Sequence, residues 1–296
     1  MALTFRKSRT VRVMVTEAQR KKIVTMYTQL SNEVAQQADR LSHDPSVSAI
    51  LKQQQLKDLQ KGLNKALERN GAVLQNDIQL SMRSVISSVG GDVSDWLKLF
   101  GVSTGTSLAS VEDDIIKSIA FGKVYKEKWY LSKAIWSDVK SKQSDIQTVI
   151  SKGVAGNKSV YDIAKDLEKY VNPAARKDWD WSKVYPGTAK VIDYNSQRLA
   201  RTMISHAYQQ SIERSVQYSP FVTGIQWHAS GSRPCPLCQD RDGVIYAKGD
   251  MPMDHPNGMC YWTAVTQDMD TVADRLANWV NGEDDPEVER YIKSLQ

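Results

Sequence analysis

The residues of this sequence best suited to chemistry are its three cysteines and one nearby histidine. Cys235 and Cys238 are separated by two residues, and His255 and Cys260 by four. Two close pairs of soft or borderline donors are typical of a tetrahedral zinc site, because each pair supplies two ligands from one tight turn. The spacing therefore predicts a Zn2+ ion held by Cys235, Cys238, His255 and Cys260.

The same pattern favours a structural metal over a catalytic one. A catalytic zinc keeps one coordination position open for water, whereas four protein ligands close the shell. A nucleoside deaminase carries His-x-Glu before its Cys-x2-Cys pair, but here His255 follows the pair and no glutamate accompanies it. The sequence also lacks the Gly-x-Ser-x-Gly, Walker-type and Rossmann glycine motifs. We therefore predict no catalytic residues and no enzyme activity.

A zinc-containing nuclease or DNA-processing enzyme is the alternative that the residues leave open. Such folds combine a structural zinc with a separate histidine that acts as general base. His228, which precedes Cys235 by seven residues, is the candidate base. A lone histidine beside a tryptophan is more often a packing residue, so the structural hypothesis is preferred.

Charge is distributed unevenly along the 296 residues. The chain carries a net charge of +5, but residues 1–22 alone hold seven basic residues against Glu17, a local +6. Such a basic segment suits the phosphates of nucleic acid or an acidic protein surface, and a solvated terminus is the ordinary alternative. Residues 268–296 are acidic, with eight acids against three bases.

Composition predicts a protein without a membrane partner. Hydrophobic residues make up 41% of the chain and charged residues 25%, and no apolar run is long enough to span a bilayer. We expect the chain to be made and kept in a reducing cytoplasm. Clustered cysteines there are more often metal ligands than disulfides.

Helical periodicity dominates the N-terminal third. Thr16 is predicted to cap a first helix, which His-Asp-Pro at 43–45 ends. A second helical pattern runs through residues 56–89, with a weak point at Asn70-Gly71 and a stop at the glycine pair 90–91. Two long amphipathic helices joined by a short turn predict a helical hairpin.

The rest of the chain alternates further helices with a few short strands. Helical spacing continues from Ser110 to about Ile150, and Ser159 with Asp162 three residues on predicts another helix start. The polar, Trp-bearing stretch 172–188 is the predicted linker. A helix is then predicted over 193–216, followed by strands near 222–227, 243–247 and 260–265 and by a last helix after Asp285-Pro286.

These patterns predict a mainly α fold with a small zinc-stapled α+β module near the C-terminus. We divide the chain into four segments. They are a basic arm and helical hairpin (1–107), a helical middle region with its linker (108–190), a zinc module (191–268) and an acidic helical tail (269–296).

Three stretches carry a resemblance to a known family. They are "RLARTMISHAYQQS" (198–211), "GIQWHASGSRPCPLCQDRDGVIY" (from residue 224) and "PMDHPNGMCYW" (252–262). In these the sequence resembles the phage minor head proteins, or head morphogenesis family, which includes the Mu F-like proteins. The match covers about residues 190–265. Met203 stands where many members have glutamate, and Gly258 where many have a further cysteine.

The resemblance implies a structural minor head protein of a tailed bacteriophage. Its members lie at the portal vertex in few copies per particle, so we expect a low-copy assembly on a ring. The implied partners are the portal protein and other head proteins, with double-stranded DNA as a further partner of the basic arm. The implied role is in head assembly, DNA packaging and DNA retention or ejection. The implied location is the virion head, with the host cytoplasm during assembly.

Overall fold

The computed structural model describes residues 3–103, 109–122, 131–177, 192–231 and 234–295. Within these ranges the chain is mainly helical, with a three-stranded antiparallel sheet near the C-terminus, as the sequence predicted. Most of the predicted linker lies outside the described residues. None of the described helices is long and apolar enough to cross a bilayer.

The helices are α1 (Arg6–Ala38), α2 (Ala49–Lys98), α3 (Ala109–Ala120), α4 (Leu131–Ala155), α5 (Val160–Val171), α6 (Tyr194–Val216), α7 (Pro236–Arg241), α8 (Met269–Val280) and α9 (Pro286–Leu295). The strands are β1 (Val222–His228), β2 (Ile245–Tyr246) and β3 (Tyr261–Thr266). A 3-10 helix over Pro173–Lys177 follows α5.

Two compact units are built from segments that are not contiguous in sequence. Unit 1 comprises Met1–Glu17, Ile78–Leu131 and Leu199–Gln296, and unit 2 comprises Ala18–Asp77 and Ser132–Arg198. Helices α1, α2, α4 and α6 each carry residues of both units. The division of the chain into four consecutive segments stays a prediction. Each compact unit contains residues from more than one of these segments.

The sheet belongs to unit 1. Its strand order is β2-β1-β3, and Trp227 of β1 pairs with Trp262 of β3. The two indole rings are fully buried and meet edge to face, with centroids 5.2 Å apart. On the outer side of β3, the Ala264 N–H donates to the carbonyl of Leu3 at 3.1 Å. This hydrogen bond ties the N-terminal segment to the outer edge of β3.

The first helix begins earlier than the sequence indicated. Helix α1 starts at Arg6, so the predicted N-cap at Thr16 is wrong and the basic arm is itself helical. Long-range contacts explain the difference, since Phe5 is buried and the Ser8 N–H donates to the Asp92 carboxylate at 2.8 Å. These contacts hold the first turn in place where local sequence offers no cap.

Helix α2 runs through both glycine positions that were expected to interrupt it. It is continuous over Ala49–Lys98, so the predicted stop at the glycine pair 90–91 is wrong. Gly71 has a packing role, because a Cβ there would lie 3.0 Å from Val139 and 3.3 Å from Ile135 of α4. The small residue lets two helices of unit 2 approach closely.

Unit 2 encloses a cluster of buried polar side chains. Lys142 of α4 forms an ion pair with Asp138, which lies one turn earlier on the same helix. Its ammonium group also donates a hydrogen bond to the Ser196 hydroxyl at 3.2 Å. Ser196 in turn donates to Asp138 at 2.8 Å, and the Tyr27 hydroxyl lies 3.3 Å from Ser196. The cluster therefore links residues of α1, α4 and α6 within the unit.

Two helices that were predicted from residues typical of a helix N-terminus are confirmed. Ser159 caps α5, accepting the N–H of Asp162 at 3.0 Å, and α9 begins at Pro286. The acidic tail is a packed part of unit 1, since Tyr291 and Leu295 of α9 are at most 1% exposed. Burial of one apolar face therefore fixes this segment despite its charge.

Candidate metal centre

The first ligand pair lies on a short turn that opens α7. Cys235 is the N-cap residue, Pro236 is the first helical residue, and Cys238 follows within the first turn. The carbonyl of Cys235 accepts the N–H groups of Cys238 at 2.9 Å and Gln239 at 3.0 Å. This turn, here called the knuckle (residues 235–238), holds one exposed and one buried thiol.

The second ligand pair lies on a turn organised by a buried aspartate. We call residues 254–260 the ligand turn. The Asp254 carboxylate accepts the N–H of His255 at 2.8 Å and of Cys260 at 3.2 Å. Gly258 passes so close to this carboxylate that a Cβ would lie 2.2 Å from its Oδ2 atom. A side chain at position 258 would therefore force the carboxylate or the turn to shift.

The four predicted ligands cluster at one place and can bind a metal ion. His255 Nε2 lies 3.2 Å from Cys238 Sγ and 3.5 Å from Cys235 Sγ, and Cys260 Sγ lies 3.4 Å from Cys238 Sγ. In a tetrahedral zinc site, bond lengths of about 2.0–2.3 Å place the ligand atoms about 3.3–3.8 Å apart. The observed spacings match that range or fall just below it. The donors form two groups that share Cys238, one with Cys235 and His255 and the other with Asp254 and Cys260, so the four predicted ligands would close around one ion only if Cys260 moved nearer to the first group.

The orientation of His255 suits metal binding. Its Nδ1 atom lies 3.0 Å from the Pro256 carbonyl, which can only accept a hydrogen bond. Nδ1 therefore carries the proton in the neutral ring, and the lone pair of Nε2 points toward the thiols. A second hydrogen bond of this kind commonly fixes the tautomer of a metal-bound histidine.

Burial has a direct effect on the central cysteine. It raises the pKa of the Cys238 thiol, and hydrogen bonds with the thiols of Cys260 and Cys235 add to the effect. Without a cation the thiol form is therefore favoured. A coordinated divalent ion reverses this preference, because it binds the thiolate directly.

Asp254 is a residue of the site that the sequence interpretation missed. It is 3% exposed, and its carboxylate oxygen lies within 4.8 Å of the sulfur atoms of Cys238 and Cys260. Helix α6 holds its backbone, because Gln209 accepts its N–H at 2.9 Å and His206 Nε2 lies 3.0 Å from its carbonyl. The run Asp-His-Pro-Asn-Gly carries a turn signal that pointed to this residue.

Arg12 is the second residue that was missed. It was counted with the basic arm, yet it is 1% exposed. Its guanidinium donates to the carbonyls of Cys260 at 2.7 Å and Met259 at 3.0 Å, and lies 4.5 Å from the centre of the Tyr208 ring. Burial lowers the pKa of Arg12, and the charge of Asp254 is among those that oppose the shift.

Helix α6 supports the ligand turn along one face. The Asn257 N–H donates to the Thr202 hydroxyl at 2.8 Å, and the Ser205 hydroxyl donates to the Gly258 carbonyl at 3.0 Å. Met203 on the same helix is fully buried. An apolar residue is therefore suited to this position, since a glutamate there would lose its hydration.

His228 lies in β1 and is engaged in packing contacts. Its ring stacks on Tyr261 at a centroid distance of 4.8 Å, and its Nε2 atom lies 2.8 Å from the Thr263 hydroxyl. The Arg9 guanidinium covers the Tyr261 ring at 3.4 Å. Burial, followed by the charge of Arg9, lowers the pKa of His228, although Asp242 opposes the shift.

This cluster of candidate metal ligands is therefore the strongest chemical feature among the residues that the structure describes. It combines the knuckle, the ligand turn and supporting contacts from α1 and α6. No family model, curated protein or solved structure matches this chain.

Proposed function

We propose that the protein is a structural minor head protein of a tailed bacteriophage, with one Zn2+ ion stapling its C-terminal module. The observation that carries this proposal is the convergence of the knuckle and the ligand turn. Both turns belong to the stretches that resemble the head morphogenesis family. The cysteines and the histidine of these two turns lie close together in space, although other residues separate the turns in sequence. Helix α6 packs against the ligand turn.

The donor set supports zinc as the ion and a structural role for it. Three thiolates and one imidazole suit Zn2+ better than hard cations, which prefer oxygen ligands. Four protein ligands leave no position for a reacting water. The bound ion would supply folding free energy to the module, because the ligands come together only in the folded chain.

The proposed partners are the portal protein and other head proteins, in a low-copy assembly on a ring at the portal vertex. The proposed role is in head assembly, DNA packaging and DNA retention or ejection, within the virion head. A contact with double-stranded DNA would use the exposed Arg6 at the start of α1. Arg12 is buried, and Lys7 is paired with Asp95 at 2.6 Å.

The nuclease alternative has weaker support from the geometry. Its candidate base, His228, is occupied by stacking and by the Thr263 hydroxyl. Divalent-metal-dependent DNA cleavage that disappears in a folded His228→Ala variant would support the nuclease. Cleavage that is absent from the wild type argues for the structural role.

Elemental analysis of the purified protein, combined with thiol titration, tests the metal site. We expect about one zinc per chain, with thiols that react only after chelation. A metal-free protein with three freely reactive thiols would overturn the site.

The head role needs a separate experiment on particles. Purified virions of the phage that encodes this chain should contain the protein in few copies, and it should co-purify with the portal protein. A chain found only outside particles, with no retention on the portal, contradicts the proposed role while leaving the metal site standing. A copy number of this protein in the capsid that bears no relation to the copy number of the portal protein would exclude the ring assembly.

A further inference from the structure

The N-terminal segment, residues 3–12, is anchored on the metal module at several points. Leu3 accepts the N–H of Ala264 in β3 at 3.1 Å. The Tyr208 hydroxyl of α6 lies 3.4 Å from the Phe5 carbonyl, and Leu3 and Phe5 are at most 2% exposed. These contacts tie the segment to the strand and the helix that flank the ligand turn.

Arg12 carries the most direct link between this segment and the metal ligands. Two of its N–H groups bind two successive carbonyls, those of Met259 and Cys260, and the second of these residues is a ligand. A guanidinium that donates to two carbonyls fixes their direction, because its donors lie in one rigid plane. Arg12 therefore restrains the backbone that aims the Cys260 sulfur.

Asp254 restrains the same turn from within. Its carboxylate accepts the N–H groups of His255 and Cys260, while Arg12 donates to the carbonyl of Cys260. The peptide groups on both sides of Cys260 are thus held by charged side chains. Hydrogen bonds to charged groups are about twice as strong as neutral ones.

Charge provides a second reason for coupling. A divalent ion with three thiolates and one imidazole carries a single net negative charge. A buried guanidinium is costly unless an opposite charge lies nearby. Loading the ion would therefore stabilise Arg12 in its buried position, and a docked Arg12 would stabilise the loaded centre.

We propose that Arg12 is a positioning residue of the metal centre, and that metal binding and docking of residues 3–12 are thermodynamically coupled. The inference rests on the proposed metal site. Coupling of this kind is reciprocal, so the ion strengthens docking by the same factor by which docking strengthens ion binding. A partner that competes for the basic N-terminal segment would accordingly weaken metal binding.

Metal affinity of three full-length variants measures the coupling. Arg12→Met removes the donors and the charge, Arg12→Lys keeps the charge, and Arg6→Met removes an exposed charge from the same helix as a matched control. Zinc affinity is measured by competition with a chromophoric chelator. We expect a loss of about 10–100-fold for Arg12→Met, as for other residues that support metal ligands, with a smaller loss for Arg12→Lys. Arg6→Met should equal the wild type.

A spectroscopic readout separates positioning from general stability. Cobalt-loaded protein has absorption bands that report the arrangement of its sulfur ligands. We expect Arg12→Met to change these bands, and Arg12→Lys to restore them in part. Bands identical to those of the wild type, together with unchanged affinity, overturn the proposal.

Hydrogen exchange on the wild-type chain provides a test that needs no variant to fold. Chelation should accelerate amide exchange in residues 3–16, while residues 160–171 of unit 2 keep their protection. Unchanged exchange in residues 3–16, or an equal rise in both segments, contradicts specific coupling. Absence of zinc from the wild type refutes the metal site itself, whereas zinc bound equally by wild type and Arg12→Met refutes only the coupling.

Discussion

The two units bury polar side chains in different ways. Unit 1 gathers three thiols and an imidazole around a place where an ion can sit, and their mutual contacts are weak sulfur hydrogen bonds. Unit 2 gathers Lys142, Asp138 and Ser196, which bond to one another through nitrogen and oxygen donors and acceptors. The first cluster offers donors to a cation from outside, whereas the second contains its own.

The lysine of unit 2 shows how that cluster is balanced. Burial acts to lower the pKa of Lys142, but the charges and hydrogen bonds of Tyr27 and Asp138 outweigh it and raise the pKa. The ammonium therefore keeps its charge within the helices. The comparison teaches that the stability of unit 1 should depend on metal, while that of unit 2 should depend on one ion pair.

Loss of a metal ligand should break unit 1 most severely. We expect Cys238→Ser to abolish metal binding and to remove the stabilisation that the ion supplies, about 4 kcal/mol at free metal a thousandfold above Kd. Thermal unfolding and site-resolved hydrogen exchange measure the effect. Protection should fall in β1 and β3 and persist in α5. An unchanged melting temperature would argue against metal-coupled folding.

Removal of the lysine should break unit 2 instead. Lys142→Met leaves the Asp138 carboxylate buried without its cation, which typically costs about 3–5 kcal/mol. Denaturant unfolding measures the loss, and metal content should remain that of the wild type. The control is Lys140→Met, an exposed lysine on the same helix, which should change stability by less than about 0.5 kcal/mol. A loss of zinc in Lys142→Met would contradict the separation of the two clusters.

A smaller effect is expected where glycine meets the Asp254 carboxylate. Gly258→Ala introduces a Cβ that would lie 2.2 Å from Oδ2, so the ligand turn or the carboxylate must shift. We expect a destabilisation of about 1–3 kcal/mol, typical of overpacking, together with weaker zinc binding.

Gly91→Ala is the matched control for that substitution. Gly91 belongs to unit 1 and lies in α2, and a Cβ there would meet nothing within 4 Å. Alanine favours helix over glycine, so this variant should gain up to about 1 kcal/mol and keep its metal affinity. Equal behaviour of the two variants would show that the approach of Gly258 to Asp254 has no energetic consequence.

The metal cluster could be predicted because its signal is local. Within each ligand pair the residues stand close in sequence, and cysteine and histidine are uncommon enough for their spacing to carry information. Helices that begin at a clear sequence signal were also predictable, as Ser159 and Pro286 illustrate. Periodicity identified most of the remaining helices, although it did not give their ends, and the short helix α7 was not predicted.

Long-range contacts explain what could not be predicted. Arg12 and Cys260 are separated by 248 positions, so no local pattern relates them. The same holds for Ser8 and Asp92, whose bond lies in the first turns of α1. The polar cluster of unit 2 is built from common residue types on several helices, which makes it indistinguishable in sequence from solvated positions.

The smallest predicted effect concerns a half-buried acid whose hydrogen-bond partner is a neutral amide, whereas Asp138 is paired with Lys142. Glu213 of α6 lies in unit 1 and accepts a hydrogen bond from the neutral Gln210 amide at 2.6 Å. Burial raises the pKa of Glu213 to about 7, although Gln210 and the charge of Arg214 oppose the shift. The carboxylate of Glu213 therefore differs from that of Asp138 in unit 2, which forms an ion pair with Lys142.

The raised pKa of Glu213 determines whether the stability of the folded protein rises or falls with pH. Since the unfolded chain releases this proton near pH 4.3, the folded state binds it more tightly, and the stability from Glu213 falls as pH rises from about 4.5 to 7. Glu213→Gln removes the titration, so its stability advantage over the wild type should grow by about 1 kcal/mol between pH 5 and pH 8. Urea unfolding of zinc-saturated protein at both values measures the difference, because metal ligands are identical in the two proteins. The exposed Glu283→Gln is the control, and a constant advantage for Glu213→Gln at both pH values would mean that Glu213 releases its proton in the folded chain at the same pH as in the unfolded chain.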